Sequence, residues 1–360
     1  MADLHINDLR AAVAADIITE AQATSLRVIA EKRLGFRDNM TNEDEPFEFF
    51  KGFSEIFVTV GLGMLFVGIL AMASVMGNFT AIPLIGAMLA FGMAFYFTLR
   101  RRMTLPSMWL TTVFAVGMGL FLGAILFDPM NVSETNLFLL AMVGFLAMIG
   151  WYRLFKLPFT MLLIGGYGLL LTFAIASLIE PSAFGAVRLW IDNPFDLNDA
   201  SIFSFATLAF GIVAFLVGMR FDMQDPHRIG RKSAAGFWLH LVAAPALVNT
   251  IALSLFNIGG PVGYAFTALA LALISLMALI VDRRSFLTAG IIYMAVLLGI
   301  VFSEGTNENM AIVFTLLTLG IFITVLGTWW GAIRAIIMRA LPDFPMKDRL
   351  PPYNSALETE

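Results

Sequence analysis

The chain has 360 residues, of which 59% are hydrophobic and 13% charged, with no cysteine and a formal net charge of −4. A soluble protein of this length carries about 25% charged residues, so this composition, with mean hydropathy +0.85, calls for the bilayer as solvent. The lack of cysteine excludes disulfides, thiolate metal sites and cysteine nucleophiles, and the scatter of the bases over many short loops excludes a nucleic-acid partner.

Residues 1–37 predict a cytoplasmic helical hairpin. Asn7 caps a first helix bearing Leu9, Ala12 and Val13, and a break falls at Asp16 to Ile18. A second helix starts at Thr19, where Thr19 and Gln22 have capping-box spacing. Leu26, Ile29 and Ala30 give it an apolar stripe. Two readings stay open: a surface hairpin resting on the membrane domain, or a docking module in which residues 7–34 hold a cytoplasmic protein partner. Residues 38–52 are an acidic linker (Asp38, Glu43, Asp44, Glu45, Glu48). No apolar stretch precedes it, so the first span is expected to direct insertion without a cleaved signal peptide.

Residues 53–338 predict ten transmembrane helices, over 54–77, 79–99, 105–127, 136–152, 157–179, 203–219, 236–256, 261–281, 286–302 and 311–332. Twenty-one of the 22 Lys and Arg residues fall on one side of that pattern, and only Arg188 lies opposite. By the positive-inside rule both termini are expected to be cytoplasmic. The opposite loops carry acids, and in the longest of them, 180–202, a short interfacial helix would satisfy Trp190. A basic residue followed by a helix start recurs at three hairpins on the basic side: Arg102 to Pro106, Arg153 to Pro158 and Arg284 to Thr288. Duplicated two-helix or five-helix units would produce this, and so would the ordinary need for a base at each cytoplasmic junction. The tail, 339–360, carries Pro342, Pro345, Pro351 and Pro352 and is expected to be extended.

The interior of the spans is poor in chemistry. His240, in the seventh, is the one titratable group well inside an apolar run, and an intramembrane ionisable group is a functional candidate by default. The plainer reading is a neutral imidazole serving as interhelical glue. Asp282, at the end of the eighth span, is its expected partner. Pro245 removes a backbone donor in mid-helix and is expected to break the seventh span. Asn249 follows His240 by nine residues, which puts the two on opposite faces of an ideal helix. Glu55, at the start of the first span, is either a solvated flank or a member of a cluster with His240 and Asp282. Gly119 and Gly123, Gly61 and Gly68, and Gly165, Gly166 and Gly168 read as sites of close helix approach. There is no HExxH, no GxSxG and no carboxylate pair, so no enzymatic activity, metal or cofactor is expected.

Several motifs together carry a resemblance: Ile18-Thr-Glu-Ala-Gln-Ala23 in the hairpin, Gly52-Phe-Ser-Glu-Ile-Phe-Val58, Phe237-Trp-Leu-His240, Asp282-Arg-Arg284, and the ending Trp329-Trp330, Arg334, Leu341-Pro342. Over most of its length the chain resembles a family of bacterial multi-pass membrane proteins of unknown function that begin with a helical hairpin. The resemblance implies class and location and carries no activity.

The sequence therefore predicts an all-α, polytopic bundle of about ten transmembrane helices with a cytoplasmic N-terminal hairpin. Its leading functional reading is a transporter or permease-like protein for a neutral or weakly polar small solute. The alternative is a non-catalytic scaffold or regulatory subunit that binds a partner through the hairpin.

Overall fold

The computed structural model describes residues 6–33, 52–75, 77, 80–127, 133–180, 194–226, 228, 231–305, 307–351 and 353. Within them all regular structure is helical. The hairpin is α1 (Ile6–Ala14) and α2 (Glu20–Arg33). Next come α3 (Phe53–Val75), α4 (Ala81–Ala94, continued by a π turn over Phe95–Arg100), α5 (Thr104–Leu126), α6 (Glu134–Phe155) and α7 (Thr160–Ile179). They are followed by α8 (Ile202–Asp222), α9 (Arg231–Phe256), α10 (Gly260–Val281), α11 (Ser285–Gly305), α12 (Glu308–Thr328) and α13 (Trp330–Ala340). Among the described residues ten helices, α3 to α12, are long and apolar enough to cross a membrane. The protein is thus an all-α multi-pass membrane protein. The interfacial helix expected near Trp190 and most of the acidic linker fall outside the described residues.

The spans expected to be short are full length: α6 has 22 residues, α8 21 and α11 21. Each runs beyond its apolar stretch into charged residues, which an apolar count leaves out. Two further expectations are corrected. Pro245 does not break its helix, since α9 continues through it for 26 residues; the proline sits on an exposed face, and losing one intrahelical bond is tolerated in a membrane helix. The tenth span stops at Thr328 rather than 332. Trp329 leaves the helical region with φ −106° and ψ 23°. A new amphipathic helix, α13, then buries Trp330, Arg334, Ala335 and Met338, one helical face at i, i+4, i+5 and i+8.

The chain divides into two compact units. One comprises residues 46–193 and 205–210; the other comprises 1–45, 194–204 and 211–360. In the first, α4 packs on α5, α6 on α7, and α5 also meets α3 and α6. Aromatic rings and small residues fill its core: Ala94, Ala115, Met148, Trp151 and Phe155 are buried together. Tyr167 lies in a notch where a Cβ on Gly144 would overlap its ring and one on Gly119 would stand 2.8 Å from its hydroxyl. That hydroxyl donates to the Ala115 carbonyl at 2.6 Å. Close approach at Gly119 is therefore a packing device.

In the second unit α9 packs on α10 and α11, α11 on α12, and α13 on α10. The hairpin belongs here. Its capping box is reciprocal: Thr19 N donates to Gln22 Oε1 at 2.9 Å, and Gln22 N to Thr19 Oγ1 at 3.2 Å. The buried face of α2 is not the expected stripe. Leu26 and Ile29 are 43% and 64% exposed, whereas Ala23 and Val28 are buried. Ala23 is small enough for Leu9 of α1 to sit on it, with Val13 and Ile18 closing the cluster. The tail is not extended throughout either: Lys347–Arg349 form a 3-10 turn and Leu350 is buried.

The basic junctions share one backbone feature. Arg102, Lys156, Arg228 and Asp282 each take a left-handed conformation, with φ between 51° and 61°. Non-glycine residues bear a cost of about 1 kcal/mol there. The recurrence noted in the sequence is matched by a common way of reversing the chain.

Candidate functional site

Most of the buried charge lies at the basic end of the second unit. Asp222 closes α8 and is buried at 5% side-chain exposure; Arg283, between α10 and α11, is buried at 1%. Arg283 Nη2 donates to Asp222 Oδ1 at 2.6 Å and Nε to Oδ2 at 3.0 Å, a bidentate pair. Nη2 also donates to the Ser233 carbonyl at 3.0 Å. The same Oδ2 of Asp222 stands 2.9 Å from Nε2 of His240, which is fully buried. Nε2 is thus the ring nitrogen that faces the carboxylate already held by Arg283, and Nδ1 points away from it. Nδ1 has no hydrogen-bond partner among the described residues. The Phe215 and Phe286 rings flank the imidazole at 5.5 and 5.8 Å.

Two glycines make room for this triad. A Cβ on Gly218 would stand 2.9 Å from His240 Cε1, and one on Gly236 would overlap Asp222 Oδ1. Gly218 precedes Asp222 by four residues and Gly236 precedes His240 by four. Each helix thus offers a gap and a polar group on the same face, and the two helices interlock.

Asp282 is not the partner of His240. It caps α10 in the left-handed conformation, φ 61°. Oδ1 accepts from Trp330 Nε1 at 2.6 Å, and Oδ2 pairs with Arg228 at 2.9 Å. Arg228 also donates to the Asp282 carbonyl at 2.7 Å. Arg334 Nε lies 3.9 Å from Oδ1 and donates to the Leu279 carbonyl at 3.1 Å, while its Nη2 donates to Pro351 of the tail at 2.6 Å. The Arg284 guanidinium stands over the Trp330 ring, 5.4 Å from its centroid. Burial pushes the Asp282 carboxyl up, but Arg228, Arg334, the Trp330 bond and Arg284 outweigh it and hold the group below its usual value of 3.8. Burial alone pulls the Arg283 guanidinium down to about 9, which leaves it cationic at neutral pH.

The hairpin reaches this end of the unit. Arg27 Nη1 donates to the Arg228 carbonyl at 3.4 Å. Burial lowers the pKa of Arg10, with Arg231 adding to the effect and Asp225 opposing it. Asp225 in turn accepts from Ser233 N at 3.2 Å.

Of the other sequence candidates, Pro245 is exposed and Asn249 half-buried, and neither joins the triad. Glu55 belongs to the first unit and is buried at 4% exposure rather than solvated. Its carboxylate accepts from the N–H groups of Thr104 and Leu105 at 3.0 to 3.1 Å, so it caps the start of α5. Asp222 and Arg228 were not singled out in the sequence, and Arg283, Trp330 and Arg334 figured there only within the motifs of the resemblance, with no role attached. The spacings Gly218 to Asp222 and Gly236 to His240 were the signal available.

The second unit also contains an apolar groove of about 480 Å³ along α10, α11 and α12, open on one side. Leu271, Ser275 and Leu279 line one wall, Met294 another, and Thr318 and Leu326 the third. The Ser275 hydroxyl is already spent on the Leu271 carbonyl at 2.7 Å. Among the described residues no three His, Asp or Glu side chains gather closely enough to hold a metal ion. Comparison with family models, with curated proteins and with solved structures finds no match to this chain.

Proposed function

We propose that this multi-pass membrane protein is a carrier for a small solute with a largely apolar body, neutral or weakly polar where it lies within the membrane. The α10–α12 groove is its seat. One observation carries the reading: a groove of about 480 Å³, within the usual range for ligand sites, walled by apolar side chains with Ser275 and Thr318 as its hydroxyls. The buried charges support it by being occupied elsewhere, since Asp222, His240 and Arg283 bind one another. The sidedness of the bases supports an orientation with both termini cytoplasmic, as in a bacterial inner-membrane protein. No catalytic role is assigned.

The lack of native cysteines makes the test direct. Single cysteines at Ser275 and Thr318 are treated with a membrane-impermeant thiol reagent from each side in turn. Labelling from both sides supports a carrier with alternating access. Labelling by a lipid-soluble reagent alone sinks the carrier reading and leaves a groove that serves only the bilayer.

A second reading, a scaffold or regulatory subunit, is favoured by the hairpin's link to the ionic cluster through Arg27 and the Arg228 carbonyl. Deleting residues 1–33 separates the two, because a carrier keeps its flux and a scaffold loses its partner.

A further inference from the structure

We propose that the α10–α12 groove seats an acyl chain of an anionic phospholipid, with the head group at the basic end against Arg284. This rests on the groove being an occupied site, and it names the occupant.

Shape is the first argument. The lining on α10 runs from Ala268 to Leu279, a length of about 16 Å at 1.5 Å per residue. Spread over that length, 480 Å³ gives a mean cross-section of about 30 Å². A slot of that length and width accepts an extended hydrocarbon chain.

Chemistry inside the groove is the second. A polar body drawn into it would leave its water without replacement hydrogen bonds. A methylene chain loses nothing there, and the open side lets it enter from the bilayer.

The mouth is the third. Leu279 and Leu326 end the groove at its basic end, and Asp282 and Trp330 stand one helical turn beyond them. Three guanidinium groups gather there about one carboxylate: Arg228 at 2.9 Å and Arg334 at 3.9 Å from Asp282, and Arg284 over the Trp330 ring. A guanidinium matches a phosphate in charge and geometry, and Arg284, held over the buried Trp330 ring, is the exposed one of the three. A head group that adds an ammonium to its phosphate loses much of this attraction.

The test uses the full chain, reconstituted with equal amounts of dioleoyl phosphatidylglycerol and dioleoyl phosphatidylcholine, released in mild detergent and weighed intact with its retained lipid. One phosphatidylglycerol per chain is expected, held in preference to phosphatidylcholine. Arg284→Gln should cut that preference about fivefold, the worth of one basic residue near an anionic surface, and Arg284→Lys should retain most of it. Ala272→Trp, which fills the groove, should abolish retention of both lipids; Thr318→Phe, from the opposite wall, serves if that variant fails to fold. Equal retention of the two lipids, unchanged by Arg284→Gln but lost on filling the groove, overturns the anionic head group and leaves the groove as a seat. Retention that survives both filling variants overturns the lipid seat, whereas the carrier reading falls only if the cysteines at Ser275 and Thr318 are reached by the lipid-soluble reagent alone.

Discussion

The two units solve the same problem in different ways. Within the bilayer, helices gain little from hiding apolar surface from one another, because lipid is as apolar as leucine; shape and polar contacts must hold them. The 46–193 unit relies on shape. Trp151 packs against Phe114 and Phe155 with ring centroids 4.5 Å away in each case, Tyr167 fills a notch beside Gly119 and Gly144, and Glu55 is its one buried charged side chain among the described residues. The other unit relies on charge: Asp196, Asp222, Asp225, Asp282, Arg283, Arg334 and Lys347 are all buried in it. Charge also ties in the segments that do not cross the membrane, since the hairpin, α13 and the tail each bond to the cluster around Arg228, Asp282 and Arg334. A shape-held unit is vulnerable to added volume, and a charge-held unit to the removal of one partner.

The largest expected effect follows from the second half of that contrast. Arg283→Met leaves the Asp222 carboxylate buried with only His240 and should cost about 3–5 kcal/mol, read as a fall in the midpoint of denaturant unfolding. Asp222→Leu combined with Arg283→Met should recover much of the loss, because the desolvation of both charges disappears. If the single variant unfolds like the wild type, the ionic account of this unit is wrong. The matching change in the other unit is Gly144→Ala, which pushes a methyl into the Tyr167 ring. Its cost should be about 1–3 kcal/mol. Tyr167→Leu in the same chain should relieve the overlap, so that the pair costs less than the sum of its parts.

The different bonding of the units also explains what the sequence revealed. The ten spans were readable because length and apolarity are local properties and the bases alternate with them. The triad was not readable. Asp222 and Arg283 both sit at span ends, where a charge ordinarily marks the water boundary, and only the third dimension shows that α8 carries Asp222 inward to His240. The partner of His240 is Asp222, eighteen residues earlier on α8, while Asp282 is taken up by Trp330 and Arg228. No residue pattern states that. The face of α2 was misjudged for a related reason. Leu26 and Ile29 are its larger apolar residues, but the small Ala23 is what allows α1 to approach. Glu55 looked like a flanking charge because its partners, the N–H groups of Thr104 and Leu105, lie about 50 residues away.

Glu55 offers a milder test of the comparison. Glu55→Ala removes the cap from α5 and should cost about 1 kcal/mol, as for other helix caps. Glu55→Gln keeps an acceptor and should cost less. Hydrogen exchange at Thr104 and Leu105 should accelerate in the alanine variant and leave α9 unaffected; acceleration in both helices would deny that the cap acts locally.

The smallest effect is one of pH, and it belongs to the charge-held unit alone. Asp282 is held below its ordinary value of 3.8 by the guanidinium groups and Trp330. A carboxyl whose folded-state pKa is depressed binds fewer protons folded than unfolded, so it contributes stability in full above 3.8 and loses it as pH falls through the folded value. Thermal melts taken from pH 5 down to 3 should therefore steepen their decline below pH 4 in the wild-type protein. Asp282→Asn should be less stable at pH 6 and show a shallower acid decline, since the proton that Asp282 resists is no longer there to bind. Trp330→Phe should move the same limb the same way but less, because it removes one donor and leaves the guanidinium groups in place. If the Asn and wild-type proteins decline in parallel below pH 4, the charges around Asp282 do not stabilise its ionised form. Trp330 and Arg334 would then hold α13 by packing alone, as the aromatic rings hold the other unit.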